Sequence, residues 1–171
     1  MAKRVFAWTN ASWVATAHGT QLAANSWMGL KGAAATQVID CLEFMISGMA
    51  MASTLGGFTV GYSSTIAGTP TLLAAPGSDG PMMINATALA APVVVHFAAT
   101  TPPTPSNVAT LPKLSLGLNL FGGIIRWNAA PTQQWTSVGN LSNGGETLLW
   151  NDTTFQGTSG AANAHIIYEP Y

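Results

Sequence analysis

The sequence predicts an all-β chain, an antiparallel β-sandwich of jelly-roll-like type, on three features. Apolar residues recur with period two in short runs, most clearly in Leu114-Ser115-Leu116-Gly117-Leu118-Asn119-Leu120, where four leucines share one face of an extended segment. Clusters of Gly, Pro, Ser and Thr divide these runs at short intervals, as turns divide strands. Apolar residues make up 48% of 171, enough for one core in a chain whose length suits one domain. The expected organisation is therefore a single sandwich domain over residues 1–171, with residues 1–35 as an irregular N-terminal arm or strand segment contacting neighbours.

Along the chain, residues 5–9 and 12–16 read as the first strands. Residues 16–35 hold Ala, Gly and an isolated Trp27 without clear periodicity, and read as a long loop or an arm. Residues 38–46 offer Val38, Leu42, Phe44 and Ile46 to one face, interrupted by Asp40. A helix is the alternative there, but the β-branched and aromatic residues favour a strand, and Gly48 marks its end. Gly56-Gly57 reads as a turn before a strand at 58–62. Strands follow at 82–85 and 92–97. The segment Thr100-Thr101-Pro102-Pro103-Thr104-Pro105-Ser106 is a loop, because proline removes ladder donors. Strands at 114–120, 124–127, 147–150 and 164–168 complete the set, and no period of 20–50 residues repeats.

Charge is scarce. Five basic and six acidic side chains give a net charge of −1, with 6% of residues charged against about a quarter in an ordinary domain. Little colloidal repulsion opposes association, so the expected state is a homo-oligomer or a component of a larger assembly. Apart from Lys3-Arg4 there is no cationic cluster to track phosphates, which excludes nucleic acid as an expected partner. Residues 44–78 and 80–112 carry a single intervening charge, Asp79, yet Gly56-Gly57, Gly68, Pro70, Pro76, Pro81 and Pro92 break every run that could span a bilayer as a helix. Lys3-Arg4 followed by Ala15-Thr16-Ala17 imitates a signal peptide, but Thr9, Asn10 and Ser12 interrupt its apolar region, so the expectation is an unprocessed chain made in the host cytoplasm.

Candidate chemistry is sparse. His18, His96 and His165 are far apart and have no partner at metal-ligand spacing. Cys41, the single cysteine, reads as a small buried hydrophobe. Asp40 and Glu43, three apart on a regular strand, face opposite sides and form no carboxylate pair. Glu146 and Asp152 flank a turn without the features of a glycosidase pair. No nucleophile elbow, phosphate loop, calcium loop or dinucleotide fingerprint is present, and the sequons at Asn10, Asn85, Asn140 and Asn151 are those expected by chance in an Asn- and Thr-rich chain. No catalytic residue, metal or cofactor is therefore expected. Of the six tryptophans, Trp8, Trp13 and Trp27 are the candidate interface anchors and Trp127 is expected in the core; Trp135 and Trp150 complete the set.

Asn85, Pro92-Val93-Val94-Val95-His96-Phe97, the loop Pro102-Pro103-Thr104-Pro105, the leucine strand, Gly122-Gly123-Ile124-Ile125-Arg126-Trp127 and the closing Ile166-Ile167-Tyr168-Glu169 occur in an order that resembles small all-β virion proteins of tailed bacteriophages, in particular head decoration and accessory proteins. The resemblance covers about half of the chain and transfers no functional residue. It implies a non-enzymatic capsid decoration, or cement, protein that binds the major capsid protein or another virion protein on the outer lattice. It also implies self-association, taken as a trimer because cement proteins often cap three-fold positions. The rivals are a tail, neck, fibre or shell component and, from another class, a carbohydrate-binding module using exposed tryptophans.

Overall fold

In a computed structural model, the structure describes residues 5–9, 14–15, 28–32, 36–62, 82–83, 93–97, 114–138, 147–151 and 160–170. Every regular element among them is a strand: β1 Phe6–Thr9, β2 Val14–Ala15, β3 Met28–Gly32, β4 Val38–Met49, β5 Leu55–Tyr62, β6 Met82–Met83, β7 Val93–Phe97, β8 Leu114–Asn119, β9 Ile124–Asn128, β10 Trp135–Val138, β11 Thr147–Asn151 and β12 Ala161–Pro170. All pairings are antiparallel.

Two sheets result. In sheet A the long strands β4 and β12 lie side by side, and each is flanked by shorter strands in tandem. β10 and β9 follow one another along the free side of β4, and β1 and β2 along that of β12, with β6 beyond β1. Sheet B runs β7-β3-β11-β5-β8. Among the described strands, only the β1–β2, β7–β8 and β9–β10 successions stay within a sheet, so the chain alternates between layers in jelly-roll-like fashion.

The core lies between the layers. Phe6, Ile39, Cys41, Phe44, Ile46, Ile166 and Tyr168 come from sheet A, and Leu30, Phe58, Val60 and Leu118 from sheet B, with Leu120 beyond the end of β8. Phe6 stacks on Tyr168 at 5.7 Å between ring centroids, and Tyr62 on Trp135 at 5.4 Å, the latter joining the two sheets. The alternation in β8 is confirmed: Leu118 is buried and Leu114 and Leu116 are half-buried, while Ser115, Gly117 and Asn119 are exposed.

Four local expectations change. β4 does not present Val38 and Leu42 to the core with Phe44 and Ile46. A bulge, where Ile167 pairs with Glu43 but Tyr168 with Cys41, inserts an extra residue at Leu42 and reverses the parity, so Ile39 and Cys41 point inward before it and Phe44 and Ile46 after it. β4 also continues through Gly48 to Met49, and Gly56-Gly57 lies inside β5 rather than in a turn. Residues 16–35 contain β3, held between β7 and β11 with Leu30 fully buried; two ladders stabilise a segment too short, and too rich in Gly, to reveal a period. β10, in the polar run Gln133-Gln134-Trp135-Thr136-Ser137, is likewise supplied by its pairing with β4.

Candidate functional site

One end of the sandwich is closed by two connections that bind each other. The 50–54 loop joins β4 to β5, and the 120–123 turn joins β8 to β9. The Leu120 amide donates to the Thr54 carbonyl at 2.8 Å and the Gly48 amide to the Gly123 carbonyl at 2.8 Å. The Asn119 side chain links the pieces: its Oδ1 accepts from the Thr54 and Phe121 amides at 3.2 and 3.0 Å, and its Nδ2 donates to Ser53 Oγ at 2.8 Å. Within the turn the Gly123 amide returns to the Asn119 carbonyl at 2.9 Å, and Gly122 takes a φ of +76°, where glycine carries no steric cost. Gly48 is required by close approach, because a Cβ there would lie 2.5 Å from Leu120 Cα. The backbone of this end is thus tied at several points.

That tied frame displays apolar side chains. Met49 is 51% exposed, Met51 101%, Leu55 65%, Phe121 61% and Ile124 68%. Met49 and Ile124 flank the Gly48–Gly123 bond, while Leu55 lies opposite Asn119 in the β5–β8 register. The five therefore wrap around the end from one sheet to the other. Beside them a groove of about 470 Å³ opens over the outer side of β5 and β8, bordered by Leu55, Ser115 and Asn119, with Gly57 and Gly117 paired at its floor. A Cβ on Gly117 would meet nothing within 4 Å, so the groove is open directly above it.

The outer face of sheet A is different in kind. Asp40, Glu43, Arg126 and Glu169 are the charged residues whose side-chain environments the structure describes, and all lie on the β4, β9 and β12 ladders. Arg126 Nη2 donates to Glu43 Oε2 at 2.6 Å, and this bond holds the guanidinium pKa above its ordinary value. Thr136 Oγ1 donates to Asp40 Oδ1 at 2.7 Å, and Glu169 lies opposite Asp40 across the β4–β12 ladder. The Leu42 bulge places Asp40 and Glu43 on the same side, correcting the expectation that they oppose each other, yet each carboxylate has its own partner. Among the described residues no three His, Cys, Asp or Glu side chains group as metal ligands.

Behind that face the core holds titratable groups. Burial, with a smaller contribution from Asp40, pushes the Cys41 thiol far above its ordinary value, which makes it a protonated packing group. Burial raises Tyr168 similarly, and its hydroxyl and Trp135 Nε1 have no hydrogen-bond partner among the described residues. Tyr62, also raised first by burial, donates from its hydroxyl to the Thr136 carbonyl at 2.8 Å.

Of the interface candidates, Trp8 is on β1 with its backbone paired to Ile166; its side chain, and all of Trp13 and Trp27, lie outside the described residues. Trp127, expected in the core, is half-buried and packs against the core at Phe44, 5.7 Å between ring centroids. The apolar end was not anticipated. Its trace in the sequence is the proximity of Met49 and Met51 to a glycine within a charge-free stretch, and the same arrangement in Phe121-Gly122-Gly123-Ile124.

No family model matches the chain, and no curated protein matches it. Among solved structures it is similar to a chain described as "Israeli acute paralysis virus heated to 63 degree - full particle", with 13% identity and a TM-score of 0.27 over 86% of this chain and 48% of the other. The chain thus spans about half the length of the solved chain that it matches, and at that score the likeness carries no argument.

Proposed function

We propose that this chain is a non-enzymatic structural subunit of a virus particle, specifically a decoration protein on the outer capsid of a tailed bacteriophage. Its partners are the major capsid protein and copies of itself, and a trimer at three-fold positions is the arrangement we favour. What supports this reading is the combination of a charge-poor chain with an apolar end whose frame is tied by backbone hydrogen bonds. Exposed apolar patches of this size mark surfaces that another molecule covers. The scarcity of cations supports a position on the exterior of the particle, away from packaged nucleic acid.

The test is direct. Purified particles of the virus that encodes the chain are analysed by mass spectrometry and imaged with and without the protein. The expected result is a stoichiometric component visible as an ordered array outside the shell, with particles lacking it disrupted at lower temperature. Absence from the particle would overturn the proposal. A location in the tail or neck would replace the capsid assignment, and glycan-array binding lost on Trp→Ala substitution would favour the carbohydrate-binding rival.

A further inference from the structure

We propose that the apolar end and the neighbouring β5–β8 groove form one self-complementary surface whose occupant is a second copy of this chain. This rests on the reading of the chain as an assembling protein, but not on its presence in any particle. The projecting group is Met51 with Phe121, and the receiving group is the groove floored by Gly57 and Gly117. Leu55 belongs to both, so knob and groove lie side by side and one copy can offer its knob to the groove of the next.

Three observations select a copy of this chain over another occupant. Electrically, residues 44–62 and 114–125 contain no charged side chain, so a partner face bearing ions would have them desolvated against apolar groups without compensation, whereas a copy brings an equally neutral face. In area, the five exposed side chains amount to on the order of 600 Å², and the groove walls extend this towards the roughly 800 Å² that each partner contributes to a standard interface. In shape, the absence of a side chain at Gly117 leaves a recess in the groove, and the Asn119 hydrogen bonds tie the strand that floors it to the loop that carries fully projecting Met51, so little ordering is lost on contact.

The experiment is sedimentation equilibrium on the full chain from micromolar to near-millimolar concentration. Wild type is compared with Met51→Glu, Phe121→Glu, Gly117→Phe and, as a charge-matched control on the β9–β10 turn, Gln133→Glu. Met51 is fully exposed and a Cβ at Gly117 would meet nothing within 4 Å, so circular dichroism and thermal midpoints of these two variants are expected to match wild type and so separate lost contact from lost fold. The expected result is a wild-type mass above one chain, at least a tenfold weaker association for Met51→Glu and for Gly117→Phe, and no change for Gln133→Glu. A wild type that is monomeric throughout, or folded Met51→Glu and Gly117→Phe variants that associate like wild type, overturns the inference. If those variants keep self-association but lose particle binding, the end belongs to a capsid partner and the self-contact is refuted while the virion reading stands.

Discussion

The apolar end and the outer face of sheet A are built from the same strands, β4 and β9, yet they solve opposite problems. On the sheet face, charged side chains find partners within the chain: Arg126 forms an ion pair with Glu43, and Asp40 accepts a hydrogen bond from Thr136. At the end, the hydrogen bonds are made by backbone and by Asn119, and the outward side chains are Met49, Met51, Leu55, Phe121 and Ile124. In the first region Glu43 and Glu169 are buried while Arg126 reaches outward. The second keeps its frame satisfied but leaves apolar area exposed, which costs about 25 cal/mol for each Å² until something covers it. A single chain can therefore carry one face whose charged side chains are partnered internally and one that displays apolar side chains without charge.

The strongest way to break this contrast is at Gly48. Gly48→Val drives a side chain into the Leu120 backbone, and we expect it to lose about 3 kcal/mol in chemical denaturation and to abolish association. Stress on the other region comes from alkali. Cys41 is held above its ordinary value of 9.0 and Tyr168 above 10.0. Groups raised by folding contribute stability that is fully present below the unfolded pKa and is lost as pH rises past it. Each pH unit above 9 should thus remove about 1.4 kcal/mol through Cys41, with Tyr168 adding to the slope above 10. Denaturation midpoints at pH 8 and 10 should show this decline, and Cys41→Ala should flatten it between those values.

Smaller changes sharpen the comparison. Thr136→Val deletes the donor to Asp40 and should cost about 1 kcal/mol at neutral pH without altering the association constant; a change in association would mean that the charged face also takes part in contact. In the turn between β9 and β10, Gln133 donates to the Ala130 carbonyl at 2.9 Å and Thr132 holds a φ of +68°, after Pro131. A type II turn favours glycine at that position. Thr132→Gly should raise stability by about 0.5 kcal/mol, read as a higher thermal midpoint, and leave both faces unchanged.

Legibility of the fold followed the ladder physics. β8 could be read because its leucines keep strict period two over an edge strand with one buried face, whereas β12 was legible only over residues 164–168, because Ala161-Ala162-Asn163 offers little apolar contrast although burial alternates along it. β3 could not be read, since Met28, Leu30 and the intervening glycine become a strand only between two partners. Glycine misled in both directions: Gly48 and Gly56 read as punctuation, but both lie inside strands because Leu120 packs against them from the β8–β9 turn. The candidate site was the least legible part. The sequence pointed to Trp8, Trp13 and Trp27, whose side chains lie outside the described residues, and it did not point to the exposed Met, Leu, Phe and Ile side chains found among the described ones.

From its sequence alone this chain is bound to be β-rich, to form an apolar core and to carry almost no charge, because alternation, composition and ion count are local or additive properties. The tertiary structure decided which face of β4 turns inward and which apolar residues stay outside. Burial parity depends on the bulge at Leu42, and exposure at Met51 and Phe121 depends on two distant loops closing on each other, so neither can be read from the residues around it.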